Sequence, residues 1–362
     1  MTTTFARFQL PLLVLAVLLA ILLPVDMTGF GIPWPGLRSY GMLNLSRWLV
    51  IAIAAMGVNL IVGYAGQETL AQAAFFGIGA YLTALTQKAG VPFGLAFLAS
   101  AAVTFLVGIV LGFPALRVQK HYLAFVTLAF TIFMWLVFRN EEWLTGGVSG
   151  IQGIKRPELF GASLRPPLYF YWFTLSITAV LTFLMWWLVR SPWGRAFTAL
   201  RENAIRAESL GIDVRGYKLL AFAIGSAYGG MAGAIYAPLV GFIDPSPFAL
   251  APSLLFMLMV VVGGSGTLIG PFIGAGVAVL LPDWLEVASS KLTSPFLQHL
   301  FSYLLVYALI VILMMAFCPT GIVGLFQRIF TPKRRPHADD KGPMLGSGAS
   351  TTVAGANAGG TP

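Results

Sequence analysis

The chain has 362 residues, of which 58 % are hydrophobic, with a mean hydropathy of +0.85 and a formal net charge of +9. Soluble domains carry roughly 45–50 % apolar residues, so an ordinary water-soluble fold is excluded. The lone Cys318 excludes an intramolecular disulfide, and the positive charge, gathered beside apolar runs, is an insertion signal that leaves a nucleic-acid partner nothing to explain.

A helix needs about 20 apolar residues to cross a bilayer. Runs of that kind fall at approximately 8–25, 42–62, 70–87, 91–113, 121–138, 168–189, 217–240, 248–262, 267–281 and 300–318. They predict an all-α polytopic membrane protein of about ten transmembrane helices. Because the eighth and ninth runs are short enough to be packed, tilted or partly re-entrant, the range is 8–10. Arg7 and the first run resemble a signal peptide, but the run outlasts a normal h-region and no Ala-x-Ala site follows, so a retained span is expected.

Two interruptions stand out. After Trp48 an apolar run is broken by Gly63-Tyr64-Ala65-Gly66-Gln67-Glu68 and then resumes, and Gly263-Gly264-Ser265-Gly266-Thr267 is followed by Gly270-Pro271. Gly/Pro-interrupted membrane segments free backbone groups that line a transporter's path or gate. Asn59, Gly63, Tyr64, Gln67, Gly263, Gly264 and Ser265 are the candidate path residues, with tight turns between spans as the alternative. Gly225, Gly229 and Gly233, like Gly266, Gly270 and Gly274, recur every four residues and predict close helix packing. Between the fifth and sixth runs, residues 139–167 mix charge with Gly and Pro and predict a structured, turn-rich loop.

The region after the sixth run is a polar island, in which Arg190, Arg195, Arg201, Arg206, Arg215 and Lys218 are mixed with Glu202, Glu208 and Asp213. Ser191-Pro192 is a helix start, Phe197, Leu200, Ala204, Ala207 and Gly211 form a small apolar stripe, and Glu202 and Arg206 pair at i, i+4. Gly211 is the expected stop. Such a helix suits docking on a protein; lying on anionic lipid is the alternative. This island and the group Arg328–Lys341 hold most of the Lys/Arg excess, which puts both and the two termini in the cytoplasm. Residues 1–332 read as one membrane domain, and 333–362 as a disordered cytoplasmic tail poor in large apolar residues.

No Gly-x-x-x-x-Gly-Lys-Ser/Thr occurs, so any ATP is hydrolysed on another chain. His121, His299 and His337 lie far apart, and a metal site is not expected. An ion-coupled transporter is the competing class, but Glu68 is the one carboxylate near a span interior, and its place at the start of the third span suits the helix dipole.

The segment GRAFTALRENAIRAESLGIDVRGYKLLAF (194–222) resembles the coupling loop of ABC-importer permeases, in the version found in branched-chain amino acid (Liv-type) permeases. So, in order, do GYAGQETLAQAAFFGIGAY (63–81), LAFVTLAF (123–130), TGGVSGI (145–151), VVVGGSGTLIGPFIGA (260–275) and PTGIVGLF (319–326). The order and the long loop before TGG resemble the M-type subunit more than its H-type partner. The resemblance implies a multi-pass subunit in a bacterial inner membrane, paired with a paralogous permease subunit. Two ATP-binding subunits, which hold ATP and Mg, would dock beneath, and a periplasmic solute-binding protein would deliver the solute. The permease itself would bind no cofactor and catalyse nothing. By the same resemblance Arg195, Arg201, Glu202, Arg206, Glu208 and Gly211, within the loop 191–216, would couple to the ATPases. Gly146, Gly147 and Ser149 would meet the binding protein. Two departures are visible. Ile205-Arg206-Ala207 stands where the general importer consensus has Glu-Ala-Ala, and GQETLAQ replaces the GQLSLGH of many relatives. Glu68 and Gln72 thus leave room for a solute other than leucine, isoleucine or valine, such as another amino acid, an amide, urea or an aromatic acid.

Overall fold

The computed structural model describes residues 39–115, 120–159, 162–289 and 321–324. Helices follow in chain order: α1 (Ser39–Val58, prolonged by a wider π turn over Asn59–Tyr64), α2 (Gln72–Lys88), α3 (Phe93–Ala115), α4 (Lys120–Asn140) and the short α5 (Glu142–Thr145). Then come α6 (Pro167–Arg190), α7 (Pro192–Glu202), α8 (Ala204–Ser209), α9 (Val214–Val240), α10 (Leu250–Gly263) and α11 (Gly270–Ser289). Every predicted span that falls on described residues is a helix. Five are long and apolar enough to cross a bilayer: Gly41–Tyr64, Phe93–Ala115, Leu123–Asn140, Pro167–Arg190 and Val214–Val240. Leu250–Gly263 and Gly270–Pro282 are shorter apolar helices, and α2 has 17 residues. The predicted first and tenth spans, 8–25 and 300–318, and the tail 333–362 lie outside the described residues.

Burial sorts the helices into centre and rim. In the apolar windows of α1 and α9, 72 % and 78 % of residues are buried, against 22 % in α3 and in α4. The glycines explain how α9 reaches the centre. A Cβ at Gly233 would lie 1.9 Å from the Phe76 carbonyl oxygen, and one at Gly79 would lie 2.0 Å from that of Gly230. Only bare backbone permits that approach between α9 and α2, because lipid supplies no hydrophobic force and contact must come from packing. At the rim, α3 turns Ser100, Thr104, Gly108 and Gly112 inward at a four-residue spacing, while Leu95, Leu98, Leu106, Val110 and Phe113 are exposed. The Thr104 hydroxyl donates to the Ser100 carbonyl 2.6 Å away, so its polarity is satisfied within its own helix.

The predicted loop at 139–167 is structured. β1 (Ile151–Gln152) lies antiparallel to β4 (Phe242–Ile243), pairing Ile151 with Ile243, and β2 (Glu158–Leu159) pairs with β3 (Ala162–Ser163). Arg156 donates to the Arg165 carbonyl and stands 5.4 Å from the Phe170 ring centroid, and partial burial pulls its pKa below the usual arginine value. This loop and the α9–α10 turn thus share one end of the bundle. The breaks after α1 and α10 and the helices α7 and α8 share the other.

Candidate functional site

At that second end three chain segments meet. The first is the exit from α1. Its backbone widens into the π turn and leaves the helix at Ala65, and Gly66 takes a left-handed φ of 65°. The residues that follow are held by side chains from other helices. Leu70 donates its N–H to Thr127 Oγ1 at 3.0 Å, and its carbonyl accepts from Thr131 Oγ1 at 2.6 Å and from Ser253 Oγ. Ser253 Oγ also accepts from the Ala73 N–H at 3.0 Å, so α4 and α10 jointly anchor the start of α2. In a span, backbone groups outside a helix need such partners, because no water offers them.

The second segment is the glycine loop between α10 and α11. Gly264 and Gly266 have φ of 118° and 79°, and Thr267 Oγ1 donates to the Gly264 carbonyl and accepts from the Gly270 N–H, at 2.8 and 3.1 Å. Asn59 joins the two breaks. Its Oδ1 accepts from the Gly266 N–H and its Nδ2 donates to the Thr267 carbonyl, both at 2.8 Å. One side-chain amide thereby pairs with the loop backbone as a strand would. Gly321 comes against the same loop, since a Cβ there would be 2.5 Å from Gly264 Cα.

The third segment is the polar island. Ser191 caps α7, accepting from the Trp193 N–H at 3.2 Å with Pro192 at the first helical position, and Ala196, Phe197 and Leu200 are buried. Phe197 meets Tyr217 of α9 edge-on with ring centroids 6.2 Å apart. The island is two helices, not the single one expected from its spacing. Asn203 is extended at φ −161° and its Oδ1 accepts from the Arg206 N–H at 3.0 Å, which caps α8 and interrupts α7. An Asn side chain offers the backbone that alternative to the helical ladder, so Glu202 and Arg206 do not share one helix. Gly211, at φ 80°, closes α8, with the Ile212 N–H on the Ala207 carbonyl at 3.1 Å.

The predicted residues are therefore distributed as follows. Asn59, Gly63, Gly264 and Ser265 gather at the junction of the two breaks. Tyr64 and Gln67 are buried beside it, the Gln67 amide donating to the Lys218 carbonyl at 3.0 Å. Arg195, Glu202, Arg206 and Glu208 are exposed on α7 and α8. Arg201 is exposed as well, and its guanidinium also reaches back to donate to the Gly63 carbonyl. Gly146, Gly147 and Ser149 lie at the opposite end, with Gly147 buried and Ser149 exposed. Glu68 sits in the non-helical stretch ahead of α2. The anchors Thr127, Thr131 and Ser253 were not singled out from the sequence, although isolated hydroxyls four residues apart in an apolar span are a usable signal.

The description of the matching family is "Branched-chain amino acid transport system / permease component", and its model covers residues 42–314. The chain is 32 % identical over 322 residues to the high-affinity branched-chain amino acid transport system permease protein LivM of Escherichia coli, covering 81 % of this chain and 72 % of that protein. It is 26 % identical over 236 residues to a probable LivM of Methanocaldococcus jannaschii, with 63 % and 67 % covered. To the autoinducer 2 import system permease protein LsrC of Escherichia coli it is 25 % identical over 238 residues, with 62 % and 66 % covered. No solved structure matches. The matched region takes in both breaks, the helices α7 and α8 and the paired loops at the opposite end, and on that agreement the chain belongs to the family of permease components of branched-chain amino acid transport systems.

Proposed function

We propose that this chain is the membrane-spanning permease subunit of an ATP-driven ABC importer in a bacterial inner membrane, with both termini cytoplasmic. It forms part of the path for branched-chain amino acids or similar small solutes, beside a paralogous permease subunit. Two ATP-binding subunits, which carry ATP, Mg and the hydrolytic chemistry, dock on α7 and α8. A periplasmic solute-binding protein delivers the solute to the end that carries β1 and β4.

The observation that carries this reading is the shared end of three segments. A charged, exposed pair of helices stands directly under the two places where the bundle's helices break. A motor docked on α7 and α8 is therefore in contact with the elements best able to open a path. The small and amide-bearing residues there, Asn59, Gln67 and Ser265, suit a neutral or zwitterionic solute.

The test is co-purification from the native membrane after mild solubilisation, comparing wild type with the double swap Glu202→Arg and Arg206→Glu. Two ATP-binding polypeptides and a second permease are expected with wild type, and the swap should weaken recovery of the ATP-binding pair by several fold. A chain recovered alone, and moving solute on an ion gradient, would overturn the reading and make Glu68 the residue to pursue.

A further inference from the structure

Three glycines surround the Arg201 side chain, and each is there for space. A Cβ at Gly66 would come within 3.0–3.2 Å of Arg201 Cγ, Cα and Cβ, and one at Gly266 would lie 2.4 Å from its Nη1. At Gly63 a Cβ would collide with Asn59 Oδ1 and the Gly266 N–H, at 2.2 and 2.4 Å. The Gly63 carbonyl needs an outside partner because the chain leaves the helix before a residue one turn on can donate to it. The last turn-closing bonds of this helix end run from Ala65 to Leu60 and from Gln67 to Ile61. Arg201 supplies that partner from the final turn of α7. One guanidinium thus touches the π turn, stands against the glycine loop and rides on the helix beneath both.

We infer that Arg201 is a positioning residue, a latch that ties α7 to the α1 break and, through the Asn59 bridge, to the α10–α11 loop, so that movement of α7 is converted into movement of both breaks together. It deepens the transport reading above and rests on it. Arg201 lies beside Glu202 in sequence, and both are exposed. Arg201 nevertheless makes a contact within this chain, to the Gly63 carbonyl. Arginine suits the place because a charge-assisted bond to a backbone carbonyl is about twice as strong as a neutral one, and the planar fork keeps its aim while the helix shifts.

The experiment uses the complete transporter, purified with its partner subunits and reconstituted in liposomes with its binding protein. Solute uptake and ATP hydrolysis are measured on the same preparation for wild type, Arg201→Ala, Arg201→Lys and Ser176→Ala. In Arg201→Ala, assembly and hydrolysis should persist while solute moved per ATP falls roughly tenfold, the scale of losing one hydrogen bond to a charged group. Arg201→Lys, which can still donate to Gly63, should recover most of that ratio, and Ser176→Ala, at an exposed position on α6, should leave it near wild type. An unchanged ratio in Arg201→Ala overturns the latch. So does a variant that loses its ATP-binding subunits and is not restored by lysine, which would make Arg201 a docking contact. If Arg201→Ala does not accumulate, Arg201→Met, which keeps the bulk of the stem and has no donor, carries the same comparison. Wild type that assembles no ATP-binding subunits overturns the transport reading instead, and is told apart at that first step.

Discussion

At the scale of single residues the bundle depends on atoms that are missing. Gly233 and Gly94 are both helical glycines, and nothing in their own identity separates them. Their surroundings do. A Cβ at Gly233 meets the Phe76 carbonyl oxygen at 1.9 Å, whereas at Gly94, in the first turn of α3, it meets nothing within 4 Å. Gly233→Ala must push α9 away from α2, an overpacking that costs about 1–3 kcal/mol or more. Gly94→Ala removes backbone freedom from the unfolded chain and gains up to about 1 kcal/mol of helix propensity. Thermal inactivation of the solubilised protein, followed by monodisperse elution after heating, should therefore move down several degrees for the first variant and stay level or rise for the second. The sequence shows the four-residue spacing of Gly225, Gly229 and Gly233 but not which neighbour each one admits. That requires knowing how α9 is rotated about its axis, and a helix with 78 % of its apolar window buried has no polar face to reveal it.

At the scale of elements, span positions were legible and the interruptions only in part. Length and apolarity locate a membrane helix because they answer to bilayer thickness, and all eight predicted runs on described residues are helical. The breaks at Gly63–Leu70 and Gly263–Leu268 were legible for a related reason, since glycine and polar groups in an apolar run have few other uses. The partition of the polar island was not. Its spacing suits one amphipathic helix through Gly211, and the residue that divides it, Asn203, is tolerated inside helices as well as at their caps. The Arg201 contact was hidden in the same way: in a charged segment every arginine reads as solvated or docked, and no sequence pattern marks the one that also bonds a backbone carbonyl of its own chain. Asn203→Ala should remove the cap of α8, worth about 1 kcal/mol, and let α7 continue through residue 203. Continuation would rotate Arg206 and Glu208 about the axis relative to Glu202 and spoil whatever surface the three present together. Recovery of the ATP-binding subunits in a co-purification should then drop, while Asn203→Asp, which caps as well, should hold it near wild type. Equal recovery in both variants would mean that the division of α7 from α8 has no part in docking.

For the molecule as a whole, the two ends are chemically distinct, and the chain's path requires them to face opposite sides of the membrane. Contacts alone fix which segments go together: Arg201 and Asn59 bind the α7 end to both breaks, and the β1–β4 ladder binds residues 151–152 to 242–243. The Lys/Arg asymmetry is the ground for the proposal that the first group faces the cytoplasm and the second the periplasm. These are independent arguments, one from packing and one from charge, and a single experiment tests their agreement. In a Cys318→Ser background, the exposed residues Ser149 and Ser209 are each replaced by cysteine and intact cells are treated with a membrane-impermeant maleimide. Ser149→Cys should label at once, and Ser209→Cys only after the membrane is opened. The reverse pattern would keep the grouping of segments and invert the orientation, placing α7 and α8 where no ATP-binding subunit could reach them. Labelling of both from one side would break the grouping itself, and with it the idea that a push on α7 is felt at the same end by both breaks.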